Sequence, residues 1–475
     1  MTSMKKAHFI GICGAGMSAL AVMLQKMGYF ITGSDEEFYE PVSSHLKKHG
    51  IEILTPYKKE NIPSDVDLIV IGKHAKLNGE ENEEVREALK NKKKIKSFPE
   101  ILSEVTKDRE NIVVAGSYGK STSTALLAWC LIDNNIDAGY FIGAISNDME
   151  DSANLGSNKY FILEGDEYPA YAGVSKFLYL HPKDVLLTSA EHDHVNVFKT
   201  EESYVEPYKK LISMLGNDSL LVAGINNPNI KTVIAGSEAK IITYGLEKNT
   251  DWYPKNINYG KITTFDLYNK KKKIVSLSTL LLGKHNIENI VGVSAFLLSK
   301  KIITPEQLKT AVSVFKGIER RIDLKTEKSS VLIYEGFGSS YTKARTVFEA
   351  IKLHFPKKRI VTVFEPHTFS WRNKNNLDWY NDIFETSDET LIFKPPEHGK
   401  NTHNQATLED ILNKIKKNKG KIYGVEKKEK ALEILESIVK LDDLIILMSS
   451  GDMGGLIKEI PLWAEQKFPK KEKAK

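Results

Sequence analysis

The sequence predicts an α/β protein of three domains: a Rossmann-like N-terminal domain, a central P-loop ATPase-like domain and a C-terminal Rossmann-like α/β domain. Three observations point there. The 475 residues suffice for about three domains of ordinary size. Apolar strand-like runs alternate with amphipathic helical segments, and the alternation restarts twice, which is the pattern of parallel sheets covered by helices. Two glycine-rich turns, at Gly14 and Gly116, each follow a buried strand pattern and open a helix, as in folds that hold phosphate groups.

The elements follow in order. "AHFIGI" reads as a buried strand, "CGAGMSALAVMLQKMG" as a turn and helix, "YFITGSD" as a second strand. "PVSSHLKKHG" reads as helix, "IEIL" as extended chain, "VDLIVIG" as a third strand and "ENEEVREALKNK" as another helix. The first domain is expected over 1–107. The second, over 108–315, begins at "NIVVAG". It carries strands at "YFILEG", "DVLLTS", "SLLVAG" and "AKIITYG", a helix around "EESYVEPYKKLISMLG" and a hairpin at "KITTFDLYNKKKKIVSLS". Helices at "NIENIVGVSAFLLSKK" and "TPEQLKTAVSVF" end it. The third, over 316–475, has strands at "VLIYEG", "RIVTVFEP", "TLIFKP" and "DLIILMSSG".

Composition excludes several classes. The net charge of +5 is small for the length, and the lysine runs at 90–96, 270–273 and 470–475 lack interleaved aromatics, which argues against a nucleic-acid surface. No apolar run reaches the roughly 18 residues of a membrane span, and the glycine-broken start is not a signal peptide. Two cysteines, Cys13 and Cys130, in apolar surroundings suit a reducing compartment. A cytoplasmic protein is expected.

Chemistry concentrates at strand ends. Gly14 and Gly16 open the first helix and Asp35 follows Gly14 by 21 residues. This is close to a dinucleotide fingerprint, with the helix N-terminus on a pyrophosphate and the acid on a ribose hydroxyl, and it suits UDP equally well. In "AGSYGKSTST", Gly116, Ser117 and Gly119 form a turn before Lys120, Ser121 and Thr122. Backbone N–H groups there face phosphate oxygens, Lys120 meets the β/γ charge and a hydroxyl ligates Mg²⁺. The turn is two residues shorter than the strict pattern. Glu164 ends one strand; Glu191, Asp193 and His194 end another. Glu164 and His194 are candidate Mg²⁺ ligands, as is Ser121. His285, Asn286 and Asn289 open an apolar helix, and Arg320 and Arg321 open the third unit with a cation suited to phosphate.

Taken together, the phosphate loop, "EGDEY", "EHDH", "GKHNIEN" and "RRIDL" resemble the Mur ligase family, the ATP-dependent amino-acid and peptide ligases of peptidoglycan synthesis and recycling. The likeness covers nearly the whole chain, and the family's own loop has the same short form. "HFIGICG", "ITGSDEEFYEPVSSHLKKHGIEI", "SKFLYLHP" and "ILMSSGDMGG" are most similar to the branch that joins a murein tripeptide, L-alanyl-γ-D-glutamyl-meso-diaminopimelate, to UDP-N-acetylmuramate. The resemblance implies an amide-forming ligase that uses ATP and Mg²⁺ and proceeds through an acyl phosphate. It puts Gly14, Gly16 and Asp35 on the UDP-sugar. It gives the ATP to Gly116, Ser117, Gly119, Lys120, Ser121, Thr122, His285, Asn286, Asn289 and Arg321. It gives catalysis to Lys120, Glu164, His194 and Arg321. Some relatives carry a carbamylated lysine 15 residues after the motif histidine, which falls on Lys209.

The chain departs from the family pattern. Ser117 and Tyr118 replace the usual Thr and His, and Gly165 replaces Ala. In the third domain "YEGFGSSYTKA" stands in place of an Asp- and His-bearing stretch, which leaves Glu335. His367 stands where the tripeptide branch has Arg, and Arg372 is kept. Glu335, His367 and Arg372 are the expected amine-side residues. Two readings stay open beside tripeptide addition: an L-alanine-adding ligase, and a nucleotide-sugar-binding relative with reduced ligase activity. The first glycine turn alone would also suit an NAD-dependent oxidoreductase.

Overall fold

The computed structural model describes residues 4–38, 42–72, 79–170, 173–194, 197–396, 404–415 and 420–470; the lysine-rich end at 471–475 lies outside them. Two compact units result. One comprises Met1–Ile257, Thr264–Thr279 and His285–Phe315, the other Asn258–Thr263, Leu280–Lys284 and Lys316–Lys475. Among the described residues the first unit carries two sheets and the second one.

The first sheet is built from β1 (Lys6–Ile10), β2 (Phe30–Ser34), β3 (Ile53–Leu54), β4 (Leu68–Ile71) and β5 (Ile95–Ser97) in the order β3-β2-β1-β4-β5, all parallel. That is a doubly wound order with its switch point beside β1. β1 feeds α1 (Ala15–Lys26), followed by α2 (Val42–Lys48) and α3 (Glu83–Lys90). β5 and α4 (Phe98–Thr106) were not expected from periodicity. Their signal was local: Ser97 and Glu100 form a capping box around Pro99 at the helix start.

The second sheet runs β15-β14-β13-β12-β11-β10-β6-β9-β7-β8. Its members are β6 (Glu110–Ala115), β7 (Gly139–Phe141), β8 (Ala153–Asn154), β9 (Tyr160–Gly165), β10 (Asp184–Leu187), β11 (Leu220–Gly224), β12 (Lys240–Tyr244), β13 (Trp252–Asn258), β14 (Thr263–Asn269) and β15 (Lys272–Thr279). β6 and β10 are almost wholly apolar and buried, as parallel strands covered on both faces must be. α5 (Lys120–Ile132), α6 (Glu201–Ser213), α7 (Asn229–Ile234), α8 (Lys284–Ser299) and α9 (Pro305–Val314) follow in the chain. Ser121 to Ala128, Cys130 and Leu131 of α5 are all buried, so the helix is packed into the core with its N-terminus at the end of β6.

The third sheet runs β16-β17-β21-β18-β19-β20. β17 (Leu332–Gly336), β18 (Ile360–Phe364), β19 (Glu389–Phe393) and β21 (Leu444–Met448) are the four strands the sequence foretold. β16 (Arg321–Leu324), antiparallel to β17, and β20 (Lys421–Val425) add edges whose polar, half-exposed residues carry no strong strand pattern. Cys13 and Cys130 are buried and are not joined in a disulfide. No described helix is long and apolar enough to cross a membrane.

Candidate active site

β6 ends at Ala115, and the chain turns into α5 through Gly116 to Gly119. Gly116 has φ +141, and a Cβ there would sit 2.2 Å from Thr188 Oγ1. Gly119 has φ +82, and its Cβ would meet Asn289 Oδ1 at 2.5 Å. Both positions therefore exclude a side chain on conformation and on space. The turn is tied to the end of β10: Thr188 Oγ1 donates to the Tyr118 carbonyl, 2.5 Å, and Ser189 Oγ accepts from the Tyr118 N–H, 2.9 Å. Gly119 caps α5 without a side-chain acceptor. The first-turn N–H groups of Lys120, Ser121 and Thr122 thus point at a helix N-terminus suited to an anion.

Lys120 enters this turn from the first helical position. Its Nζ lies 2.9 Å from Glu167 Oε2, and Glu167 is fully buried. Burial alone would raise the Glu167 carboxyl. The charge of Lys120 and hydrogen bonds from His194 and Lys120 outweigh it and hold the group at about 2. His194 Nε2 is 3.3 Å from Glu167 Oε1, and that bond raises the imidazole above its ordinary value. Tyr204 closes the cluster, its hydroxyl 2.9 Å from Ser117 Oγ and 3.3 Å from Glu167 Oε1.

Beside it stands a pair of hard oxygens. Ser121 Oγ donates to Glu164 Oε1 at 2.7 Å, and Glu164 Oε2 accepts the Gly143 N–H at 2.7 Å. Neighbouring ligands of an octahedral Mg²⁺, bonded at about 2.1 Å, lie about 3 Å apart. The Ser121–Glu164 spacing and its all-oxygen chemistry fit that ion at the helix N-terminus. On the far side of the turn Asn286 and Asn289 are buried on α8 with Asn289 Nδ2 3.3 Å from Asn286 Oδ1, while His285 is exposed.

Some expected residues lie elsewhere. His194 turns to Glu167 rather than joining the Ser121–Glu164 pair. Lys209 is exposed on α6, because the inner face of that helix is taken by Tyr204 and Tyr208, one turn apart and both buried. Glu167 was not picked out by sequence reasoning, although it lies three residues beyond Glu164. Asp35 is buried and already engaged: Oδ2 accepts the Cys13 N–H at 2.8 Å, and Oδ1 accepts from the Tyr57 hydroxyl at 3.1 Å and the Glu36 N–H at 2.8 Å. It braces the Gly14 turn at the start of α1. Gly16 packs against the Phe98 ring, which a Cβ would meet at 3.3 Å.

The second unit has its own cluster where β17, β18 and β21 end. Glu335 is buried, 2.9 Å from Arg320 Nε and 3.3 Å from Lys325 Nζ. Arg320 also donates to the carbonyls of Ser449 and Gly451, at 3.2 and 2.6 Å. Arg321, the member of the pair expected to act, is exposed at the start of β16. His367 Nδ1 is 3.2 Å from Ser450 Oγ. Arg372 is buried and donates to the Pro396 carbonyl and Gln405 Oε1, at 3.3 and 3.2 Å, so it is part of the packing there.

Comparison with known proteins matches residues 6–110 to the model of the Mur ligase family catalytic domain and residues 114–297 to that of the Mur ligase middle domain. A UDP-N-acetylmuramate–L-alanine ligase of Endomicrobium trichonymphae is 28% identical over 448 residues, 94% of this chain and 96% of that protein. The crystal structure of the UDP-N-acetylmuramate–alanine ligase of Thermotoga maritima superposes with a TM-score of 0.78 at 21% identity, covering 97% of this chain and 100% of that one. A murein peptide ligase of Psychrobacter arcticus gives a TM-score of 0.67 at 24% identity, covering 98% and 100%.

Proposed function

This chain belongs to the Mur ligase family, whose members are ATP-dependent amide-bond ligases, and from that premise we propose that it joins L-alanine to the carboxylate of UDP-N-acetylmuramate. The observation that carries the ligase reading is the grouping of Lys120, Ser121 and Glu164 at a helix N-terminus that holds no side-chain cap. The choice of L-alanine rests on the curated relatives, which are L-alanine ligases across nearly their full length. It displaces the tripeptide as first reading. The tripeptide stays second, supported by the fold shared with the murein peptide ligase.

The chemistry has two steps. A carboxylate oxygen attacks the γ-phosphorus of ATP, the bond to the β,γ-bridging oxygen breaks, and ADP leaves behind an acyl phosphate. The amine then attacks the acyl carbon, phosphate departs, and the nitrogen loses a proton to give the amide. Lys120 exchanges its Glu167 partner for phosphate oxygens and offsets the charge that gathers there. The first-turn N–H groups of Lys120, Ser121 and Thr122 hold the β- and γ-phosphates. Ser121 and Glu164 would hold Mg²⁺, which supplies charge neutralisation on the phosphates. Glu167, tied to His194 and Tyr204, keeps Lys120 extended over the turn until the nucleotide arrives. Asn286 and Asn289 border the nucleotide with His285, and Arg321 is assigned to its phosphates. Gly14, Gly16 and the Asp35-braced turn take the UDP part. Glu335, His367 and Arg372 are assigned to the amine side, the first and last through positioning.

Phosphate release with ATP, UDP-N-acetylmuramate and either L-alanine or the tripeptide tests the assignment. Release and amide formation with L-alanine in at least about tenfold preference supports it. Turnover with the tripeptide alone replaces it by the second reading. Release with neither amine removes both.

A further inference from the structure

Away from the phosphate loop, one cluster in the first unit combines imidazole and carboxylate groups that no step above uses. His45 lies on α2, and His49 follows one turn later, its N–H bonded to the His45 carbonyl at 3.3 Å, so both rings leave the same helical face. Asp151, just before β8 in the second sheet, faces them. His49 Nε2 is 3.0 Å and His45 Nε2 3.7 Å from Asp151 Oδ1. One ligand atom from each residue falls within 4.8 Å of the others.

We propose that His45, His49 and Asp151 form a binding site for a borderline transition-metal dication of the Zn²⁺ class, joining α2 of the first sheet's layer to the segment before β8. Ligands of a tetrahedral Zn²⁺ at about 2.0–2.1 Å stand about 3.4 Å apart. The 3.0 and 3.7 Å separations bracket that value. Two imidazoles and one carboxylate oxygen leave the fourth position for water. Nitrogen donors select such an ion over Mg²⁺ or Ca²⁺.

The surroundings favour the metal-ready forms. Asp151 is buried, and its other oxygen, Oδ2, accepts from Lys26 Nζ at 2.6 Å, which fixes the carboxylate with Oδ1 turned to the rings. Lys26 also opposes a cation electrostatically. It sets the affinity down and makes the site sensitive to its removal.

The test is a Co²⁺ titration of the full-length protein with excess Mg²⁺ and no nucleotide, followed by the visible absorption of tetrahedral Co²⁺, then displacement by Zn²⁺. One equivalent should bind with an intense band. His49→Ala and Asp151→Asn should each weaken binding on the order of tenfold or more, while Lys26→Gln tightens it and His194→Ala leaves it unchanged. His49→Gln, compared with the parent by thermal melting without metal, separates a lost ligand from a folding defect. No tetrahedral band, or a band that His49→Gln and Asp151→Asn leave intact while the proteins melt normally, overturns the proposal. A band lost in His194→Ala instead assigns the ion to the phosphate-loop cluster and overturns it equally.

Discussion

Two strand-end clusters in this molecule are built on the same interaction and arranged for opposite ends. At the phosphate loop, buried Glu167 faces Lys120; in the second unit, buried Glu335 faces Arg320. Lys120 is a flexible point charge at the head of a helix, beside a hydroxyl–carboxylate pair and a helix start that no side chain caps. Its carboxylate partner keeps His194 and Tyr204 when the lysine leaves. Arg320 is a planar fork whose donors are spent on Glu335 and on the carbonyls of Ser449 and Gly451, with Lys325 as a second cation on the same acid. The first pair can exchange partners for a phosphate. The second ties β16 to β17 and β21 and cannot open without leaving several groups unpaired. An ion pair thus marks a reactive site only where one member is mobile and has another charge to go to.

The sharpest way to break this contrast is at the two cations. Lys120→Ala should lower turnover on the order of 10³-fold or more, and should lower the melting temperature less than Arg320→Ala does, because His194 and Tyr204 still hold the buried Glu167. Arg320→Ala should show the reverse weighting, with a large loss of stability. A variant at Lys120 with near-normal turnover would remove the distinction.

Next in size is the acid of the second cluster. Glu335→Ala removes the buried acid that Arg320 and Lys325 share, leaving two like charges together, and should cost about 3 kcal/mol in denaturant unfolding. Glu167→Gln should cost less, because it keeps a polar side chain of the same size and strands one cation where Glu335→Ala strands two. Gly116→Ala tests the loop itself. The left-handed backbone and a contact of 2.2 Å with Thr188 should weaken nucleotide binding by at least about tenfold.

The smallest effect is electrostatic and is read by NMR. His194 should titrate above its ordinary 6.5, and Glu167→Gln should bring it back down. The signs of the linkage differ for the two partners. Glu167 is held below its ordinary 4.5, so its stabilising contribution is present above 4.5 and is lost as pH falls toward about 2. His194 is raised, so its contribution is complete below 6.5 and is lost as pH rises through its folded-state value. The pair is at full strength between those limits, and stability should fall on both sides.

Which residues would meet was legible only in part, and the reasons are local. The phosphate loop, Ser121 and Glu164 could be read from sequence because a strand, a glycine turn and a helix start fix one another within a few residues. Glu167 could not, because the chain leaves β9 at Gly165 and strand alternation no longer says which of Asp166 and Glu167 turns inward. Asp166 pairs with Lys176 and Glu167 takes the lysine of the loop. Arg320 and Arg321 are adjacent, and a φ of +64 at Arg320, unusual for that residue, decides which is engaged. The spacing that pointed to Lys209 overlooked Tyr204 and Tyr208, whose separation of one helical turn already claims the inner face. β16 and β20 lacked a signal because edge strands carry polar residues on their open sides.

The most direct test of the central claim, that Lys120, Ser121 and Glu164 direct phosphoryl transfer onto a carboxylate, is an isotope transfer. UDP-N-acetylmuramate carrying heavy oxygen in its lactyl carboxylate is turned over with ATP and L-alanine, and the released phosphate is analysed by mass. The account predicts one heavy oxygen in each phosphate, carried over through the acyl phosphate, and no such product with Lys120→Ala. Phosphate released by the parent protein without the label would contradict it.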